Sequence, residues 1–359
     1  MKPIYILANN LILLLFLSTP ALAEESTMDA SLKKQAKRSV DYGLHFLREH
    51  QADNGSWSNS VGITGLALRA FLESPRHYIE ADGPFITKPI AFILSHIKKN
   101  GAISESLQNV NYNTAVAITA LKATKNPAYE KIIHNAQKFV AGLQLDEDKD
   151  YEPDHKYYGG IGYGGDDRPD LSNQYIAIEA LKSTDFDPDD PVWNKALVFI
   201  SRSQNNSESN DQAWAKNDGG FTYMPGYSPN GETNSYGGMT HAGLISLLFA
   251  GIDKSDSRVQ AAYQWIKNNY TLESNPGATN SQGLFYYYNA FAKSMLAYGD
   301  IEITDSNGVP HNWRNDLTKK LLQIQDKQGF WVNSNGRWWE SDKNLVTSWS
   351  VIALNQVVQ

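Results

Sequence analysis

One unit of chain grammar, used again and again, limits what this sequence can fold into. Its plainest copy runs from Gly43 to Leu72: a helix, a glutamine, a turn of glycine and tryptophan, then a second helix rich in small residues. Leu44, Phe46 and Leu47 fall on or near one helical face, Asn54-Gly55 breaks that helix, and Thr64 to Leu72 begins a more apolar one. The product is a helical hairpin.

The same grammar returns down the chain. Two apolar residues followed by an amide four positions later mark an outer helix at Phe46-Leu47 with Gln51, Phe139-Val140 with Gln144 and Phe199-Ile200 with Gln204. The signal weakens to Phe92-Ile93 with Ile97 and Trp265-Ile266 with Tyr270, and it returns as Lys320-Leu321 with Gln325. A glycine followed by a large apolar residue marks each turn, at Gly55, Gly101, Gly160, Gly220, Gly283 and Gly329. Inner helices then open on Thr64, Thr114, Gln174, Thr240, Asn289 and Thr347, each with a small residue three positions on (Ala67, Ala117, Ala177, Gly243, Ala292, Ser350). Positions one, four and eight of a helix share a face, and the small residue lets neighbouring helices approach closely.

Six copies spaced by 50, 60, 66, 49 and 58 residues predict one all-α domain, a closed (α/α)6 toroid of six helical hairpins over residues 24–359. The rival architecture is an open solenoid. Irregular repeat lengths, and terminal repeats without polar caps, favour closure.

Ahead of the repeats stand Lys2, an apolar run from Leu11 to Leu17, and Pro20-Ala21-Leu22-Ala23 before Glu24-Glu25. That order predicts a secretory signal peptide over residues 1–23 and a secreted or periplasmic product, because the run is shorter than the roughly 20 residues that span a bilayer. The chain has no cysteine, which excludes disulfides, a thiolate nucleophile and thiolate-bound zinc. A net charge of -7 argues against nucleic acid and anionic membrane surfaces as partners. What remains is a small-molecule, lipid-like or glycan ligand held in a central cavity.

Phe46-Leu47-x3-Gln51-x3-Gly55-x-Trp57 and Lys320-Leu321-x3-Gln325-x3-Gly329-x-Trp331 resemble the QW repeat of squalene and hopene cyclases. The six-hairpin count resembles the α/α toroid of terpenoid cyclases and protein prenyltransferase β subunits. The resemblance implies that glutamine and tryptophan serve the frame, the amide tying helix to turn. It also implies an aromatic cavity and acid-initiated chemistry on an isoprenoid-like ligand. The catalytic motifs of that superfamily transfer poorly. Where hopene-type cyclases carry Asp-x-Asp-Asp, this chain reads Asp170-Leu171-Ser172-Asn173, with Ser172 at the proton donor's position. The literal match Asp187-Pro188-Asp189-Asp190 falls at the other end of the ring, and Asn289 stands where the prenyltransferases place a zinc-binding histidine.

All six inner helices start at one mouth, so their positive N-terminal dipoles converge there, and the longest inserts lie beside them. The glycine-rich stretch 157–170 offers Asp166, Asp167 and Asp170 as acid, base or ligands of a divalent metal, with Arg168 as an anion clamp and Tyr163 beside them. The competing reading of Asp170 is a helix cap. His241, one residue after Thr240, is a candidate acid/base partner, with Tyr236 at the rim. Glu340 follows Trp338 and Trp339, and Tyr287 and Tyr288 open the fifth inner helix; these aromatics could line a cavity, stabilise a cation or stack on a sugar. The candidate catalytic set is therefore Asp166, Asp167, Asp170, His241 and Glu340, and the ligand-binding set Tyr163, Arg168, Tyr236, Tyr287, Tyr288, Trp338 and Trp339. Beyond a possible metal at the aspartates, no cofactor is expected. Three functions fit: cyclase- or lyase-type chemistry on an apolar ligand, a carbohydrate-active lyase or hydrolase using two of these carboxylates, and ligand or protein binding without catalysis.

Overall fold

A computed structural model describes residues 27–164 and 168–359. The predicted signal peptide, Asp166 and Asp167 lie outside them. Among the described residues, no helix is long and apolar enough to cross a membrane.

Among the described residues, twelve α-helices alternate between two rings. The outer ring holds α1 (Ala30–Glu49), α3 (Pro84–Ser95), α5 (Glu130–Ala141), α7 (Val192–Arg202), α9 (Ser257–Asn268) and α11 (Trp313–Ile324). The inner ring holds α2 (Val61–Leu72), α4 (Val110–Ala123), α6 (Leu171–Ser183), α8 (Gly237–Phe249), α10 (Leu284–Tyr298) and α12 (Lys343–Val357). Each inner helix packs on the next, and α12 packs back on α2 and α1, so the ring is closed. The fold is the expected α/α toroid, with one addition: a two-stranded antiparallel ribbon, β1 (Glu302–Thr304) and β2 (Pro310–Asn312), joins α10 to α11.

The repeated residues turn out to be repeated hydrogen bonds. The amide nitrogen of Gln51 donates to the carbonyls of Gly55 (3.1 Å) and Phe85 (3.2 Å), linking its own turn to the start of the next outer helix. Gln144 does the same to Gly159 and Val192, and Gln204 to Gly219 and Arg258. Gln325 reaches Gly329 and Ser39, which carries the series across the closure. The indole N–H groups of Trp57 and Trp331 donate to the carbonyls of Leu47 (2.7 Å) and Leu321 (2.9 Å) at the ends of their outer helices. Both bonds fall in the last turn, where a helix leaves carbonyls short of intrahelical partners, and at Leu47 the indole shares the oxygen with the His50 N–H. At the inner helices, the hydroxyls of Thr64, Thr114, Thr240 and Thr347 accept from the backbone N–H of Trp57, Ile103, Phe221 and Trp331, and the Gln174 side chain accepts from Ile161.

The left-handed turn glycine lies against the next outer helix, and in repeats three and four it is Gly159 and Gly219, one residue before the Gly160 and Gly220 read above. At Gly159, with φ of +79°, a Cβ would come within 1.8 Å of the Lys195 carbonyl oxygen, so neither the conformation nor the space admits a side chain. Repeat five breaks the pattern. Gly283, read above as its turn glycine, is instead the left-handed N-cap of α10, and Asn289 donates to the Trp349 carbonyl rather than receiving a turn N–H.

Candidate functional site

The ring encloses a cavity of about 410 Å³ at the end where the inner helices begin. Its wall comes from a simple register. The residue just before each inner helix's repeat position faces the axis at Ile63, Asn113, Asn173 and Met239, and the residue two after it does so at Ile176 and Trp349. Tyr112 and Tyr286 complete the floor, and the inserts add Tyr163, Tyr223, Tyr236, Trp338 and Trp339. Among the described residues of the lining, eight side chains are tyrosine or tryptophan and five are asparagine, whereas Glu105 is the one charged residue.

Anions gain little from the helix ends here, because each inserted loop caps the inner helix of the preceding repeat. Val61 N–H donates to Glu105 Oε2 (3.1 Å) and Gly62 N–H to Asn113 Oδ1 (3.1 Å) at α2. The carbonyl of Tyr163 takes the Asn111 N–H at α4, and that of Tyr223 takes the Leu171 N–H at α6. Asn275 and the Pro276 carbonyl cap α8. The donors expected to converge on the mouth are thus already paired.

Glu340 shows the same device. It is fully buried beneath the start of α10, where Oε1 accepts from the N–H groups of Phe285 (2.9 Å) and Tyr286 (2.8 Å), and Oε2 from Asn333 Nδ2 (2.6 Å). Burial raises its pKa to about 7 against the opposing pull of those donors. Read in the sequence as a carboxylate at the mouth, it is a cap and does not line the cavity.

Asp170 is the N-cap of α6. Its Oδ1 accepts from Ser172 Oγ (2.6 Å) and Asn173 N–H (2.9 Å), and its Oδ2 from Asn173 Nδ2 (2.7 Å). Burial raises its pKa, opposed by these bonds and one from Tyr223. The cap reading describes it, and both oxygens are committed. Among the described residues no group of three or more His, Asp or Glu side chains is arranged to hold a metal.

His241 sits inside the wall between α8 and α10, its ring against Tyr287 and Phe291 and its Nδ1 2.6 Å from Ser294 Oγ. Burial pushes its pKa down to about 3, so the imidazole is neutral and faces no ligand space. Tyr287 and Tyr288 are likewise wall residues, donating to the carbonyls of Thr271 (2.7 Å) and Leu272 (2.6 Å). Arg168 is exposed and not part of the lining. Of the described candidates, Tyr163, Tyr236, Trp338 and Trp339 do meet at the cavity.

The sequence reading passed over Tyr112, Tyr223, Tyr286, Trp349 and the asparagines. The register was its available signal, since Asn113 and Asn173 directly precede Thr114 and Gln174. Two wall residues, Asn173 and Tyr286, also keep a buried side-chain oxygen without a partner, as groups do that await a water or a ligand hydroxyl.

No family model matches this chain, and no curated protein sequence does. Solved structures do resemble it. An unsaturated glucuronyl hydrolase specific for heparin superposes with a TM-score of 0.58 at 12% identity, over 92% of this chain and 97% of its own. A protein from Actinoplanes gives 0.54 at 14% identity, over 90% and 99%. The unsaturated glucuronyl hydrolase of Streptococcus agalactiae gives 0.52 at 10% identity, over 91% of each chain. At identities this low the likeness is one of fold, and the fold in common is the α/α toroid.

Proposed function

We propose that this chain is an extracytoplasmic toroid that binds neutral carbohydrate in the cavity at its mouth. The observation that carries the reading is the lining: eight aromatic rings interleaved with five asparagines and three serines, with Glu105 as the one charge. A pyranose has the matching character, with C–H faces that stack on rings and hydroxyl edges that pair with amides. An isoprenoid would strip water from those amides and return nothing, at about 1–3 kcal/mol for each group left unpaired. That cost weighs against the cyclase reading, although the rings alone would suit it. A uronic acid would want a cation, and none lines the cavity among the described residues. Two-carboxylate glycoside hydrolysis needs an opposed pair of acids; among the described residues of the lining Glu105 is the one carboxylate, and it already caps α2, which supports binding as the reading.

Calorimetry with the full mature chain tests it. Linear cello-, xylo-, manno-, malto- and chito-oligosaccharides should include a ligand, while oligouronates and farnesol should give no heat. Binding of farnesol or of the uronates in preference to every neutral sugar would overturn the reading.

A further inference from the structure

Trp339 is 68% exposed at the cavity rim, an unusual place for an indole. The chain holds it there at a cost. Trp338 and Trp339 have φ of +55° and +67°, two consecutive bulky residues in the left-handed region that Cβ sterics disfavour. Such strain persists where the surroundings over-determine it, and here they do. Glu340, the next residue, is bolted to the start of α10. Trp338 lies on Gly283, whose Cβ would sit 3.1 Å from the ring, and carries the Arg337 guanidinium 4.7 Å from its centroid. Asp342 N–H donates to the Trp339 carbonyl (2.9 Å), and Ser58 Oγ donates to Asp342 Oδ2 (2.6 Å). Ser58 and Asn59, also at the rim, are themselves left-handed, with φ of +53° and +50°. The Trp339 indole is therefore presented on a rigid mount and left uncovered.

The other end of the cavity is shut. Tyr112, Ile176, Tyr286 and Trp349 separate it from a space of about 10 Å³ beside Arg69, Glu179 and Lys293, about enough for one water. A ligand therefore enters and leaves through the mouth, past Trp339.

We infer that the cavity takes the terminus of a neutral oligosaccharide and that Trp339 is the stacking platform for the sugar units that emerge from it. The inference rests on the carbohydrate reading and deepens it from a sugar to the end of a chain.

The test uses calorimetry on a linear series of one to six units of whichever neutral sugar binds, with a cyclic oligomer of the same sugar, for wild type and Trp339→Gly. Glycine accepts a φ of +67° without strain, so the variant keeps or raises its melting temperature. Wild-type affinity should rise with the first added units and then level off, and the cyclic oligomer should bind poorly. The variant should lose about tenfold on the hexamer and less than about twofold on the single sugar. Equal losses on short and long ligands, no loss on either, or tight binding of the cyclic oligomer would overturn the inference and leave the carbohydrate reading standing. If no neutral sugar of any length binds, both fall together.

Discussion

The two halves of the ring axis are built on the same six helices and filled in opposite ways. The mouth half is open and, among the described residues, lined by neutral groups apart from Glu105. The far half is closed by charge: Glu179 accepts from Lys293 Nζ at 2.7 and 2.9 Å and from Arg69 at 3.1 Å, and Arg69 also donates to Glu73 at 2.7 Å. These charges come from nearly the same level of their helices, Arg69 and Glu179 five residues after Thr64 and Gln174, and Lys293 four after Asn289. They sit on α2, α6 and α10, every second helix of the inner ring. Long side chains from alternate helices reach the axis and neutralise one another where small inner-face residues leave a hole. Burial alone would lift the Glu179 pKa, but Lys293 and Arg69 hold it well below the usual carboxylate range. The comparison inverts the sequence expectation, which put the ionic groups at the mouth and left the rest as packing.

The sharpest way to break this contrast is to remove the anion from the far half. Glu179→Gln leaves the buried Lys293 ammonium without its counter-ion, while Arg69 keeps Glu73, and losing one partner of a buried ion pair costs about 3–5 kcal/mol. Chemical denaturation should show a midpoint shift of that size, with little change in sugar affinity for the fraction that stays folded. An unchanged midpoint would mean that the cluster is not what closes the ring.

A smaller effect tests the mouth half through Glu340. Its pKa is about 7 in the folded chain against 4.5 unfolded, so between those values the folded state keeps a proton that the unfolded state has released. Its contribution to stability is fully present below pH 4.5 and is lost as pH rises through 7. The difference corresponds to about 3 kcal/mol. His241 acts with the opposite sign: its pKa is about 3 folded against 6.5 unfolded, so its contribution is present above 6.5 and drains away as pH falls toward 3. The two slopes oppose one another across pH 4.5–6.5, and above 6.5 the loss from Glu340 outweighs what is left of the His241 gain. Denaturation midpoints should therefore fall from pH 6.5 to 8 for the wild type and stay level or rise slightly for Glu340→Gln. The same fall in the variant would remove Glu340 as its source.

What could be read from the sequence divides along the same line as the structure. The frame was legible because Gln51, Gln144, Gln204 and Gln325 make the same pair of bonds, one to a turn glycine and one to the next outer helix, and a recurring bond leaves a recurring residue. The mouth was less so, because each insert caps a different helix by different chemistry: a glutamate at α10, an asparagine at α8, a bare carbonyl at α4 and α6. Glu340 beside two tryptophans looked like a lining acid because nothing local reveals that the start of α10 lies above it. Arg69, Glu179 and Lys293 were visible as charges inside apolar helices. Their meeting is a property of the closed ring, though, and no single helix discloses it.

The smallest effect concerns Asp170, the one described candidate acid that remains next to the cavity through Ser172, Asn173 and Tyr223. If it is a cap that also orients Asn173, then Asp170→Asn should be mild. Asparagine caps helices about as well as aspartate, so what is lost is mainly the charge-assisted bond from Asn173 Nδ2, about 1 kcal/mol or less. Thermal melting should show a drop of that order, and affinity for the neutral sugar should stay within about twofold. An acid that works on the ligand would behave otherwise: the amide variant would melt normally while losing any bond cleavage that the wild type performs on the same sugar, detected by product chromatography. That outcome would move the mouth half from recognition to catalysis and make Asp170 its proton source. A matched pair of small changes in melting and affinity, with no cleavage by either protein, keeps it in the frame.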